Sequence, residues 1–150
     1  MAYMEQTAVE REAVLDGLGQ DEAGLRDKMA CAGFLMNLYG GAEKILLRIC
    51  RHRGLTVPTG GDWHSELVTM FSTARCPDQG FIGDELLHTL VPFRRLRHVV
   101  VHGYALTLDW QRMLPGAQSA RKVFAAFDKA VREYLDSLEG GPAPDHNPAK

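Results

Sequence analysis

The sequence predicts an all-α protein, a bundle of four to five helices that run up and down. Two observations support this fold class. Apolar residues recur three and four positions apart over long stretches, and no run of alternating apolar and polar residues is bounded by hairpin turns. The length of 150 residues suits one domain with a single core. We assign residues 1–139 to this domain and residues 140–150, which are rich in glycine and proline, to a disordered tail.

Three helices are predicted in the first half of the chain. Residues 2–18 form a polar amphipathic segment that ends between Gly17 and Gly19. A second helix is capped by Asp21 and extends to about Arg53, where Gly54 terminates it. After a loop over residues 55–61, Asp62 is expected to cap a third helix that runs from Trp63 to about Arg75.

Two more helices are predicted in the second half, and each has a proline near it. The fourth begins near Ile82, and Pro92 should kink it or make it restart, because proline lacks the amide proton of the helical ladder. Pro115 and Gly116 predict a break, and the last helix covers about residues 117–138.

Composition excludes several classes of protein. The formal charge of −2 provides no overall positive field, so any affinity for nucleic acid must come from a local patch. Three cysteines, without a paired spacing, argue against a disulfide framework or structural zinc and favour three buried thiols. The acidic N-terminal segment does not resemble a signal peptide, and no apolar run is long enough to span a membrane. We therefore expect a cytoplasmic protein.

One stretch of the chain concentrates positive charge. Residues 86–108 contain no aspartate or glutamate, and they hold six basic side chains: His88, Arg94, Arg95, Arg97, His98 and His102. Arginine presents donors whose geometry matches phosphate oxygens, so this segment is a candidate phosphate-binding site. The alternative is a basic helix face exposed to solvent.

Within this stretch, Arg97 is followed by four residues, then His102, one residue and Tyr104. The arrangement resembles the Arg-x4-6-His signature of the HEPN superfamily, and in particular the HepT-like branch, in which a tyrosine follows the histidine by two positions. The flanks of the motif and the upstream segments 37–44 and 62–67 are also similar to HepT-like proteins. The resemblance covers roughly residues 25–138.

The resemblance implies a metal-independent endoribonuclease, the toxin of a toxin–antitoxin pair, with no cofactor. His102 would act as a general acid or base, and Arg97 would bind the scissile phosphate. The resemblance also implies a partner, a minimal nucleotidyltransferase antitoxin that adds AMP to Tyr104. Arg94, Arg95 and His98 would support RNA binding.

The geometry of a helix adds a condition. At about 100° per residue, Arg97 and His102 lie roughly 140° apart around one continuous helix, whereas Arg97 and Tyr104 differ by about 20°. Either the helix is broken near the motif, or two chains supply the two groups across a two-fold axis. HEPN proteins form dimers with a composite cleft, so the resemblance favours a homodimer.

Other polar residues have two interpretations each. Glu43 either orients Arg97 or His102, or is a surface charge. Trp63 and His64 resemble a feature of the HepT-like family, but we favour a core tryptophan and a histidine at the start of a helix. We interpret Tyr39 as a core or interface residue rather than a catalytic one. The alternative function for the whole chain is a HEPN-type adaptor, or a module that binds nucleic acid or nucleotides without catalysis.

Overall fold

The structure, a computed structural model, describes residues 24–76, 80–101 and 108–139. These ranges contain four helices and no β-strand: α1 (Leu25–His52), α2 (Trp63–Met70), α3 (Asp84–Val101) and α4 (Trp110–Glu139). The predicted all-α fold is confirmed. The predicted helix over residues 2–18 and the tail over residues 140–150 lie outside the described residues, as does Asp21.

Helix α1 ends as the sequence predicts. Gly54 adopts a φ of +62°, a conformation that only glycine adopts without strain. The backbone amide of Leu55 donates to the carbonyl of Cys50 over 2.9 Å, and that of Gly54 donates to Arg51 over 3.3 Å. Together these two bonds satisfy carbonyls at the end of the helix in a Schellman motif.

Helix α2 ends at Met70, earlier than predicted, because the backbone that follows it pairs with another segment of the chain. The amides of Phe81 and Ile82 both donate to the carbonyl of Phe71, which joins the chain after α2 to the segment before α3. The predicted side-chain cap by Asp62 is also wrong. Asp62 occupies the N-cap position without a side-chain hydrogen bond, and its backbone carbonyl accepts from the amides of Ser65 and Glu66.

Both prolines lie inside helices. Helix α3 continues through Pro92, so the restart, one of the two predicted outcomes, does not occur. The predicted break at Pro115 and Gly116 is wrong, since α4 begins at Trp110 and contains both residues. Asp109 caps this helix. Its Oδ1 accepts hydrogen bonds from the backbone amides of Gln111 and Arg112, over 3.0 and 3.4 Å. A proline in the second turn of a capped helix of 30 residues removes one hydrogen bond among many.

The core lies where α1, α3 and α4 pack together, and α2 covers one side between α1 and α3. Phe93 of α3 meets Phe124 of α4 edge to face, with ring centroids 5.1 Å apart. The buried set comes mainly from the apolar stripes of the two longest helices and includes Leu35, Leu46, Ala117, Ala120 and Phe127. Tyr39 is a core residue, as predicted, whereas Trp63 is only partly buried.

The prediction that all three cysteines are buried is confirmed for two of them. Cys31 and Cys50 are buried thiols, as predicted. Cys76, beside the turn after α2, is only half-buried, so the prediction of a third buried thiol is wrong. None of the four described helices is long and apolar enough to cross a membrane.

Candidate functional site

A buried carboxylate lies where α1, α2 and α3 meet. Glu43 of α1 is only 6% exposed, and it is the one charged side chain that is buried among the described residues. One of its oxygens, Oε1, lies 2.7 Å from Nδ1 of His64 on α2. The other, Oε2, lies 3.7 Å from Nε of Arg97 on α3. Glu43 therefore joins an imidazole and a guanidinium from two other helices.

Helical spacing explains how these groups come together. Glu43 lies between the core residues Ala42 and Leu46, so its side chain leaves α1 towards the interior of the bundle. Tyr39 precedes it by one turn and shares the same face. Arg94 and Arg97 are one turn apart on α3 and face this junction, where Arg94 donates a hydrogen bond to the hydroxyl of Ser65.

Burial sets the electrostatics of this junction. It raises the pKa of the Glu43 carboxyl above its usual range, while the positive charges of His64 and Arg97 oppose the shift. Burial and the neighbouring carboxylate of Glu43 also raise the pKa of Tyr39, which keeps its phenol neutral. A carboxylate in such a place is stable in its charged form only while cations remain close to it.

Glu43 positions Arg97 but does not occupy the hydrogen-bond donors of its guanidinium. Its distance of 3.7 Å from Glu43 makes an ion pair that is too long for a hydrogen bond. Among the described residues no hydrogen bond uses the donors of its guanidinium, and 26% of the side chain is exposed. An anion that arrives from solvent can therefore bind the guanidinium while Glu43 continues to orient it.

The structure divides the predicted basic cluster between two faces of α3. Arg94 and Arg97 point towards Glu43 and α2. Arg95 lies on the other side, where it lines a cavity of about 500 Å³ between α3 and the start of α4. The walls of this cavity are mainly apolar and include Leu35, Phe93, Leu96, Val99 and Met113. His98 is exposed near the end of the helix.

The other two motif residues, His102 and Tyr104, lie outside the described residues. Helix α3 is continuous from Asp84 to Val101, so the helix is unbroken between Arg97 and the position just before His102. A break upstream of the motif, at Pro92, does not occur.

Sequence reasoning missed the part played by His64. It was interpreted as a residue of a helix start, and it does lie in the first turn of α2. Its contact with Glu43, 21 positions earlier, depends on how α2 packs across α1 and α3. The contact itself is not visible in a local pattern, but both residues lie in the segments 37–44 and 62–67 that resemble HepT-like proteins. The sequence also left open the possibility that Glu43 orients Arg97.

One comparison with known proteins gives a match. The sequence model of a family described as HepT-like protein matches residues 30–138, which is more than half of the chain. The chain belongs to the HepT-like family of the HEPN superfamily. The match includes all of the residues that meet at Glu43 in this HepT-like protein. No curated protein and no solved structure gives a significant match.

Proposed function

We propose that this HepT-like protein is a metal-independent endoribonuclease toxin, in which Arg97 and His102 act on one RNA phosphodiester. The 2′-hydroxyl of the ribose attacks the adjacent phosphorus, and the bond to the 5′-oxygen of the next nucleotide breaks. His102 takes part in proton transfer to or from these oxygens. Arg97 binds the phosphate and stabilises the charge that grows on it.

The observation that carries this proposal is the state of Arg97. A catalytic guanidinium has to be positioned in advance and still have donors for the phosphate. The ion pair with buried Glu43 supplies the position, and the absence of hydrogen bonds from the guanidinium to the described residues leaves its donors for a ligand. A glutamate in the role of orienting residue thus fits the geometry.

The other basic residues of α3 differ in how directly they could contact RNA. Arg95 and His98 are exposed on α3 and are available to contact the RNA backbone, Arg95 on the side of the helix opposite to the Glu43 junction. Arg94 is engaged with Ser65, so its contribution is to the local positive potential rather than to a flexible contact.

We further propose that the site is composite. Because α3 is continuous through Arg97 to Val101, a His102 that continued the helix would point roughly 140° away from Arg97. In a homodimer with two-fold symmetry, Arg97 of one chain and His102 of the other would share a phosphate. A minimal nucleotidyltransferase antitoxin would neutralise the toxin by adding AMP to Tyr104, because the added bulk and negative charge repel RNA.

The test is RNA cleavage by the purified protein in the presence of EDTA, together with growth arrest on expression. Arg97→Ala and His102→Ala should each abolish both effects. Arg48→Ala, which removes an exposed arginine of α1 from the groove between α1 and α4, should leave both unchanged. If the wild type and both site variants leave RNA intact, the enzyme proposal is wrong.

Mixing the two inactive variants tests the composite site. A heterodimer of Arg97→Ala and His102→Ala would contain one site with both catalytic side chains and one site with neither. The mixture should therefore regain part of the cleavage activity that neither variant has alone. If the mixture remains inactive although heterodimers form, each chain carries its own site.

The alternative is a HEPN-type module that binds nucleic acid or nucleotides, or serves as an adaptor, without catalysis. One observation favours it, since the pairing of Arg97 with a buried carboxylate is also what a purely structural arginine shows. In that case RNA would bind and stay intact, and Arg97→Ala would lower stability more than it lowers binding.

A further inference from the structure

A single carboxylate divides its two oxygens between two cationic side chains. Oε1 of Glu43 is 2.7 Å from the imidazole of His64, and Oε2 is 3.7 Å from the guanidinium of Arg97. The short contact determines the rotation of the carboxylate, because a hydrogen bond depends on angle more strongly than a longer ion pair does. The contact with His64 therefore aims the second oxygen at Arg97.

The hydrogen bond also fixes the state of the imidazole. When Glu43 is charged, Nδ1 of His64 carries the proton and donates it to Oε1. Among the described residues Nε2 of His64 has no hydrogen-bond partner, and 16% of the side chain is exposed. Nε2 can therefore gain or lose a proton from solvent while Nδ1 keeps its bond to Glu43.

Protonation of His64 changes the charge balance at Arg97. The charged and titratable groups around Glu43 are Tyr39 on α1, His64 on α2, and Arg94 and Arg97 on α3. With a neutral imidazole, the negative charge of Glu43 acts mainly on Arg97. With a protonated imidazole, Glu43 is shared by two cations. Its negative charge then neutralises less of the positive potential around the guanidinium, which favours an incoming phosphate.

We propose that His64 is a positioning residue of the ribonuclease site, which acts through Glu43 to orient Arg97 and, by gaining a proton, strengthens the hold of Arg97 on RNA phosphate. This proposal rests on the proposed function. Because histidine as a residue type ordinarily changes charge between pH 5 and 8, RNA affinity measured over this range tests the proposal.

The experiment measures RNA affinity between pH 5.5 and 8 in the His102→Ala background, where RNA should stay uncleaved. The chain with His64 should bind RNA more tightly as the pH falls, beyond the change seen in His64→Asn. Asparagine places an amide donor where Nδ1 was, so it keeps the bond to Glu43 and cannot titrate. His52→Asn, at an exposed histidine near the end of α1, is the matched control and should retain the full pH dependence.

Cleavage by otherwise wild-type chains gives a second readout. His64→Ala should lower kcat/KM roughly 10- to 100-fold, the worth of one hydrogen bond to a charged group. His64→Asn should restore most of this loss at pH 8 and should lack the gain in affinity at low pH. If His64→Asn shows the same pH dependence of RNA affinity as the chain with His64, the proposal is overturned.

A third readout needs no RNA. The NMR signal of the Arg97 Nε–H group in the free protein should shift with pH when His64 is present and should lose that shift in His64→Asn. A signal that is indifferent to His64 overturns the positioning role and leaves the proposed ribonuclease untouched. Loss of RNA cleavage and binding in the wild type would instead overturn the proposed function, even if the Arg97 signal follows His64.

Discussion

The ion pair between Glu43 and Arg97 should couple the two residues more strongly than an exposed pair of the same length. The chain offers a matched control. Nζ of Lys129 and Oε1 of Glu133 on α4 are also 3.7 Å apart, but these side chains are 76% and 67% exposed. The side chains of Glu43 and Arg97 are 7% and 26% exposed. The distance between the charged atoms is thus the same in the two pairs, whereas their burial differs strongly.

The expected magnitude follows from Coulomb's law. At 3.7 Å and an effective dielectric constant of 20, two unit charges attract by about 4.5 kcal/mol. A quarter of the Arg97 side chain is in contact with water, which screens the attraction, so we expect a coupling energy of about 1–2 kcal/mol. The exposed pair should give no more than about 0.5 kcal/mol.

The assay is a double-mutant cycle by urea unfolding. The variants are Glu43→Gln, Arg97→Met and their combination, with Glu133→Gln, Lys129→Met and their combination as the control cycle. Added salt should weaken the control coupling more than the buried one, because buried pairs are screened less. Equal coupling energies in the two cycles would refute the view that Glu43 orients Arg97 electrostatically.

The remaining predictions concern pH and two glycines. The folded state raises the pKa of Glu43, so folding favours its protonated form. The resulting stabilisation is fully present below the ordinary pKa of a glutamate. It is lost as the pH rises through the pKa that Glu43 has in the folded protein. The unfolding free energy of the wild type relative to Glu43→Gln should thus fall as the pH rises above the ordinary pKa of a glutamate, by at most about 1.4 kcal/mol per pH unit, and a rise would contradict it. Gly80→Ala should destabilise the protein by about 1–3 kcal/mol in urea unfolding, because the new Cβ would lie 2.5 Å from the carbonyl oxygen of Ser72. Gly116→Ala, inside α4, should instead stabilise it by about 0.5–1 kcal/mol, because the new Cβ would meet nothing within 4 Å beyond the backbone of its own helix. Equal effects of the two substitutions would contradict this account of Gly80.

Local chemistry was sufficient where a feature depends on neighbouring residues. The helical class follows from the spacing of apolar residues, and the end of α1 follows from the ability of Gly54 to adopt a positive φ. Proline was a weaker guide. Pro92 and Pro115 each remove one hydrogen bond, but packing of the flanking residues, such as Phe93 and Met113, into the core keeps both helices continuous.

The sequence by itself determined that the chain is helical and that its positive charge is concentrated around Arg97. It did not decide which groups surround that arginine. Glu43, His64 and Arg97 are separated by 21 and 33 positions along the chain, and they meet only because three helices pack at one junction. Helix-forming tendency and charge are properties of short segments, whereas the partner of a buried carboxylate is decided by how those segments pack together.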